Sequence, residues 1–388
     1  MSDSLERLSS MRNVVVAGYA RSPFHLAGKG ALARVRPDDL AAQVIRGLIQ
    51  QTGVKAEDIE DIVLGCAFPE GEQGFNIARL IGLLADLPLS VGGMTVNRFC
   101  GSSMSSVHIA AGQIQLGAGE AFICAGVESM SRVPMMGFNP LPNPELAKKS
   151  AAYMGMGDTA ENVATKYQIT RAQQEAFAVA SQDKAAAAIA AGKLEAEIVP
   201  ITTKAGVVDK DGTPRAGTTT ETLAGLKPAF SQDGTVTAGT SSPLTDGASA
   251  ILVTSEDYAR AHGLPILARI KSVAVSGCQP EIMGIGPVEA SRKALQRAGL
   301  SVDQLDVVEL NEAFASQSLA CISDLGLDQS KVNLDGGAIA IGHPLGATGA
   351  RIVGKAAALL KREGGSYALA TQCIGGGQGI ATVLEAAE

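Results

Sequence analysis

The chain repeats itself. A helix-patterned segment runs from Pro37-Asp38-Asp39-Leu40 to Gln51 and closes at Gly53. Val54-Lys55-Ala56-Glu57-Asp58-Ile59 and the strand-like run Asp61-Ile62-Val63-Leu64-Gly65 follow. Far downstream a helix from Val288 to Ala298 closes at Gly299, followed by Leu300 to Leu305 and the strand Val307-Val308-Glu309-Leu310. The two closing glycines stand 246 positions apart (299 − 53). A similar offset returns further along. Strand-like Thr95-Val96-Asn97 leads into Cys100 and a helix, and Lys331-Val332-Asn333 leads through a longer glycine loop into His343 and a helix, 243 positions on (343 − 100). Four matched elements at nearly one offset predict two similar α/β halves whose equivalent strand-to-helix turns face each other. The first strand, Asn13-Val14-Val15-Val16-Ala17-Gly18, is an apolar run of the kind buried on both faces.

This reading divides the chain into an N-terminal half, 1–268, and a C-terminal half, 269–388. Residues 131–235 form an insertion in the first half that is rich in turn residues and charges. One helix in it is well marked, with Thr170 and Gln173 as a capping box ahead of Ala176 to Ala191. Lys204, Lys210, Arg215 and Lys227 fall in its later, loop-rich part. The insertion reads as a lid or ligand-binding subdomain, or else as a solvated surface excursion.

Composition narrows the function. A formal charge of −7 without Lys/Arg runs argues against nucleic acid and anionic membrane surfaces, while a local basic patch would still bind an anionic small molecule. No apolar run approaches the length of a membrane helix, so no membrane insertion is expected. The start, Met1 to Arg7, carries no apolar core of a secretory signal, and a cytoplasmic location is expected. The six cysteines are scattered without C-x-x-C pairs, which speaks against a zinc site or a disulfide framework. Cys66, Cys124, Cys278 and Cys321 sit in apolar contexts suited to small buried hydrophobes.

Cys100, His343 and Cys373 each stand in a glycine-bearing turn. Two thiols and an imidazole so placed suggest a nucleophile, its base and a second acid/base, with backbone N–H groups free to hold an oxyanion. Cys100 is read as opening a helix, where the positive end of the dipole favours thiolate; a buried structural cysteine is the alternative. His343 as neutral imidazole would take the Cys100 proton, or its N–H would polarise a carbonyl. His108, inside the Cys100 helix, reads as a packed core histidine. Cys373 precedes Gly375-Gly376-Gly377-Gln378-Gly379, a loop read as presenting N–H groups to an oxyanion or as a tight hairpin. Asn311, at the carboxyl end of the strand Val307 to Leu310, should face the same pocket, with a plain helix-cap role as the alternative.

At these residues the chain strongly resembles the thiolase family. The resemblance rests on Val96-Asn97-Arg98-Phe99-Cys100-Gly101-Ser102, Gly126-Val127-Glu128-Ser129-Met130, Asn311-Glu312-Ala313-Phe314, Gly336 to Pro344, and Cys373-Ile374-Gly375-Gly376-Gly377. It implies a duplicated, five-layered αβαβα fold with an inserted loop domain. It also implies that Cys100 is the nucleophile acylated by substrate, that His343 helps form its thiolate, and that Cys373 moves the second proton. One oxyanion hole would be His343 with a water on Asn311, and the other the backbone N–H groups of Cys100 and Gly375. Coenzyme A would be a substrate, with no bound cofactor and no metal. It would lie across the loop domain near Arg215 and Ser242, with Met156 and Phe314 as further contacts.

Within the family, Met156-Gly157-Asp158-Thr159-Ala160-Glu161 follows Gly155, where acetoacetyl-specific members typically carry histidine. Arg36 to Leu40 and Val133-Pro134-Met135-Met136-Gly137 look more like the degradative 3-ketoacyl-CoA thiolases of β-oxidation. The resemblance then implies a homodimer or homotetramer, in some cases complexed with a multifunctional hydratase/dehydrogenase. The alternatives are an acetoacetyl-CoA thiolase and a non-catalytic thiolase-like acyl-CoA-binding protein. A decarboxylating β-ketoacyl synthase would resemble a Cys-His-His set, and Cys373 argues against it.

Overall fold

Two five-position sheets of the same order make up the molecule. In the first half the order is Gly92–Val96, Ile59–Gly65, Ala121–Ser129, Thr245–Ser255, Val14–Arg21. In the second it is Val332, Val307–Leu310, Tyr367–Ile374, Gln378–Glu385, Ala268–Gly277. In both, the first two pairings are parallel and the next two antiparallel. The halves join edge to edge where Val15 and Val16 pair with Arg269 and Ala268, giving one continuous sheet of nine strands in line, with the short strand His25–Leu26 as a tenth beside Thr245–Ser255. The computed structural model describes residues 12–387, and the polar start at residues 1–7 lies outside the described residues.

Three apolar clusters hold the layers together. Helices Pro37–Thr52 and Ile77–Leu84 cover the outer face of the first sheet through Leu40, Ile45, Leu48 and Ile81. Helices Ser102–Gln115 and Leu345–Glu363 fill the space between the halves through Met104, Val107, Ile352, Val353 and Leu360. Helices Gly286–Ala298 and Ala315–Leu325 cover the outer face of the second sheet. The result is the αβαβα order that the resemblance implies. The Leu345–Glu363 helix is buried almost all round, so truncating Ile352 to Ala would cost roughly 2–5 kcal/mol.

The repeated helix ends are alike in detail. Gly53 and Gly299 are left-handed caps, with φ of 72° and 69°. The predicted strand at Lys331–Asn333 differs from its counterpart, because only Val332 bridges to Val308. Asn333 turns to a φ of 49°, and its side chain bonds the backbone of Leu310 at 2.9 and 2.8 Å, doing the work that a ladder does in the other half. Between Ser129 and Thr245 the chain leaves the sheets and forms the helices Met156–Lys166 and Arg171–Ala190 and the hairpin Ile201–Val208. The capping box at Thr170 and Gln173 is formed as the sequence predicts. The first strand is buried along its whole length.

Candidate active site

The strand Gly92–Val96 ends in a strained turn that delivers Cys100. Asn97 Oδ1 accepts from Phe99 N at 2.8 Å, and Phe99 is held at a φ of 45°, where a side chain of its size is disfavoured by roughly 1–3 kcal/mol. Cys100 lies in a single 3₁₀ turn, Phe99–Gly101, and the α-helix starts only at Ser102. The N–H groups of Gly375 and of Cys100 itself point at the Cys100 sulfur, and Ala67 and Leu345 pack against it. Burial pushes the thiol up to about 11 despite those two donors, and Glu128 adds to the rise. The thiolate expected from the helix dipole is therefore not the resting state; desolvation outweighs the dipole. A base must take the proton.

His343 is built for that. It follows Gly342, is buried, and donates its backbone N–H to Thr245 Oγ1 at 3.1 Å. Its Nδ1 lies 2.7 Å from Thr348 Oγ1, while the Thr348 hydroxyl donates to Pro344 O at 3.0 Å. A hydroxyl has one proton to give, so Thr348 accepts from Nδ1–H and Nε2 keeps a lone pair. Asn311 Nδ2 stands 3.5 Å from that Nε2. Burial, with a contribution from Arg351, brings the imidazole down to about 3, so it is neutral at physiological pH. Asn311 does not cap a helix: the next helix begins at Ala315, and Gln317 Oε1 accepts from the N–H groups of Ala313 and Phe314.

Cys373 lies within the strand Tyr367–Ile374, paired with Gly379, and not in the turn itself. The glycines that follow make a tight hairpin closed by Ile374 and Gln378, and the same hairpin presents Gly375 N–H to Cys100. The two readings of this loop are one structure. Gln372 Nε2 bonds Cys100 O, tying the hairpin to the nucleophile turn. Burial holds the Cys373 thiol well above its ordinary range, and the nearby Cys100 adds to that.

Met156 and Phe314 share an apolar cluster with Cys373, Ala160, Met283 and Ala313. Ser242 donates from its N and Oγ to Ala313 O at 3.0 and 3.1 Å, which puts it beside that cluster. Arg215 lies outside the cluster, on an exposed loop whose backbone donates to Gln182 Oε1 at 2.9 Å. No carboxylate pairs with Arg215 among the described residues, so its charge is available to an anion. His108 bonds Thr382 Oγ1 at 2.9 Å and belongs to the core packing between helix and sheet. Among the described residues no cluster of side chains suits a metal ion.

Three supporting residues escaped the sequence reading. Thr348 orients His343, and its spacing five residues on, within one helix start, was the available signal. Glu128 is buried and accepts from Ala67 N, Phe68 N, Gln73 Nε2 and Gly346 N at 2.8–3.2 Å, joining the segment after the strand Ile59–Gly65, where Ala67 packs against Cys100, to the helix start after His343. Glu312 does the same for the second half, accepting from Ser181, Asn333 and Ile339 N. Both acids lie in motifs already singled out, but their donors come from distant segments.

Family models described as "Thiolase, N-terminal domain" and "Thiolase, C-terminal domain" match residues 14–257 and 264–386. The chain belongs to the thiolase family. Among its relatives, a 3-ketoacyl-CoA thiolase of Bacillus subtilis (strain 168) is 47% identical over 97% of this thiolase and 100% of its own length. One of Aliivibrio fischeri (strain ATCC 700601 / ES114) is 49% identical over the same shares. Human mitochondrial 3-ketoacyl-CoA thiolase in complex with CoA superposes with a TM-score of 0.90 at 38% identity, covering 97% of this thiolase and 98% of that chain. The Bacillus anthracis acetyl-CoA acetyltransferase superposes with a TM-score of 0.90 at 40% identity, covering 97% and 100%.

Proposed function

We propose that this thiolase cleaves 3-ketoacyl-CoA with coenzyme A, giving acetyl-CoA and an acyl-CoA shortened by that unit. The carrying observation is a buried Cys100 whose sulfur receives two backbone N–H groups, tied to the Cys373 strand through Gln372 and packed against Leu345, two residues after His343, whose Nε2 faces Asn311. In the first half-reaction His343 Nε2 takes the Cys100 proton and the sulfur attacks the 3-keto carbon. The N–H groups of Cys100 and Gly375 hold the resulting oxyanion. As the C2–C3 bond breaks, the electron pair passes into an acetyl-CoA enolate, whose oxygen is held by the new His343 Nε2–H and by Asn311. Cys373 gives its proton to C2 and acetyl-CoA leaves. In the second half-reaction the Cys373 thiolate deprotonates incoming coenzyme A, which attacks acyl-Cys100, and Cys100 recovers its proton from His343. Losing one oxyanion donor costs roughly 3–4 kcal/mol in comparable sites. A high Cys373 pKa suits this role, because a strong base is needed to exchange a proton with carbon.

The 3-ketoacyl subclass is favoured over acetoacetyl specificity by the names of the 47–49% identical relatives. Two measurements test the reading. Quenching the enzyme with 3-ketoacyl-CoA and mapping the adduct by mass should find the acyl group on Cys100; an unmodified Cys100 overturns the mechanism. A thiolysis series across chain lengths should show turnover well beyond four carbons, and activity confined to acetoacetyl-CoA overturns the subclass. A non-catalytic acyl-CoA binder would give neither adduct nor turnover.

The reading includes a cytoplasmic role in β-oxidation by a homo-oligomer. Supporting the last point, the sheet ends at the strand Gly92–Val96, and beside it Phe75 and Leu89 are 94% and 79% exposed, with Leu83 and Leu84 also uncovered. An open strand edge flanked by large apolar side chains favours pairing with a second copy. Light scattering should give at least a dimer, and Leu89→Glu should shift it towards monomer. No helix of the described residues is long and apolar enough to cross a membrane.

A further inference from the structure

Behind the reacting groups, the strand that ends just before Asn311 and the helix that starts just after His343 are joined by one buried ion pair. Glu309 precedes Asn311 by two residues on Val307–Leu310, and Arg351 follows His343 by about two helical turns on Leu345–Glu363. Arg351 Nη1 stands 3.3 Å from Glu309 Oε2, with side chains 2% and 0% exposed. The contact is long and single. Glu309 Oε1 and Arg351 Nε and Nη2 have no hydrogen-bond partner among the described residues. A pair selected for stability would be bidentate and saturated, and even then a buried pair competes poorly with apolar packing. This one is spent differently.

Its setting shows how. The Arg351 charge reaches His343 and opposes its protonation. Glu309 is faced by Arg351 and Lys355 from the His343 helix, by Asp335 from the loop after Asn333, and by Glu197 from the insertion. The Tyr19 hydroxyl, on the central strand Val14–Arg21, also feels both Glu309 and Arg351. Lys355 is itself held by Glu197 and Asp335 at 2.8 and 2.7 Å, so its charge is largely answered elsewhere. Burial and the two acids push Glu309 up to about 7, against the pull of the two cations.

We infer that Glu309 and Arg351 are positioning residues for the thiolytic reaction: they set Asn311 against His343, and the charge on Glu309 decides how readily His343 accepts the Cys100 proton. The inference rests on the function proposed above. With Glu309 ionised the pair is neutral, and His343 can become imidazolium beside it. With Glu309 protonated, Arg351 is answered only by Glu312, which it reaches from beyond ion-pair distance, and more of its charge disfavours that imidazolium. Formation of the Cys100 thiolate with its His343 partner therefore falls as pH drops through the neutral range. Neither Cys100, at about 11, nor His343, at about 3, titrates there.

The test is the single-turnover rate at which 3-ketoacyl-CoA acylates Cys100, read by peptide mass between pH 5.5 and 8.5, because in that step His343 takes the proton, whereas a small alkylating reagent would report only the free thiolate. It needs no free coenzyme A, whose own thiol would obscure the profile. The wild-type enzyme should show a step of roughly tenfold centred near pH 7, the effect of about one unit in His343 basicity. Glu309→Gln should lie flat on the low plateau, with kcat for acylation down roughly tenfold and KM within about twofold. Arg351→Lys, which keeps the charge, should keep the step. Glu309→Gln/Arg351→Met, which removes both charges, should also be flat but above the single variant. Circular dichroism and melting confirm that each variant is folded, and the Arg351→Lys profile carries the test should Glu309→Gln not fold. A step unchanged in folded Glu309→Gln, or lost in folded Arg351→Lys, overturns the inference. A wild-type enzyme without thiolysis would instead overturn the function it rests on.

Discussion

His343 Nδ1 and Thr348 Oγ1 lie 2.7 Å apart, and the proton between them belongs to the histidine. That assignment leaves Nε2 as the base, facing Asn311, and makes a residue outside the reacting set responsible for the tautomer that reaction requires.

Replacing Thr348 by Val keeps the shape and removes the acceptor. The bond strengthens when His343 becomes cationic, so the loss falls on the transition state, at roughly 1.5–3 kcal/mol or about 10- to 150-fold in kcat. Thr348→Ser should recover most of the rate. Steady-state thiolysis of the three enzymes decides it, and a Val variant as fast as the wild type would remove Thr348 from the site.

Acid stability follows from the same burial. His343 and His108 are both brought down to about 3, from 6.5 in the unfolded chain. Groups whose folded pKa is depressed add stability above the unfolded value, and that contribution is lost as pH falls through the folded one. The melting temperature should therefore drop between pH 6.5 and 3. His343→Asn should make that drop shallower. A slope unaltered by the substitution would show that His343 is not held neutral.

The hairpin glycines separate backbone geometry from space. A Cβ on Gly375 would meet Met156 Sδ at 3.4 Å, an ordinary contact, and the N–H aimed at Cys100 would remain. Gly377 has a φ of 86°, and a Cβ there would lie 2.3 Å from Cys278 O. Gly375→Ala should keep turnover within about tenfold, while Gly377→Ala adds at least the roughly 1–3 kcal/mol of a left-handed non-glycine residue and should displace the oxyanion donor. Comparing kcat and urea midpoints of the two tests the order, and equal behaviour would sink it.

Glu128 gathers four N–H donors and the Cys66 thiol from segments on both sides of the site. Glu128→Gln turns an acceptor into a donor facing N–H groups, leaving at least one of them unbonded at roughly 1–3 kcal/mol. Urea unfolding should show that loss, and Cys100 acylation should slow because one segment it joins packs against Cys100 through Ala67 and the other starts the helix that follows His343. Unchanged stability would mean that the carboxylate is already protonated and readily replaced.

Much of this was legible in one dimension. The repeat at Gly53 and Gly299 reads from local signals, because a helix stop and a strand start are written in adjacent residues. So do the turns that carry Cys100 and His343 and the hairpin after Cys373. The short strand expected at Lys331–Asn333 is a single bridge because the Asn333 side chain bonds back to Leu310, which no pattern of apolar residues reveals.

By itself the sequence determined the duplicated α/β plan, the family, and which thiols and imidazole deserve attention, since each rests on short runs of neighbouring residues. The tertiary structure alone decided their chemical states. Cys100 is a thiol because burial defeats the helix dipole, and His343 is neutral because its surroundings exclude water and include Arg351. Gly375 serves Cys100 from 275 positions away (375 − 100), and Glu309 meets Arg351 across the central layer. Desolvation and charge act through space between segments distant in the chain, so they exist only once the two halves have closed on each other.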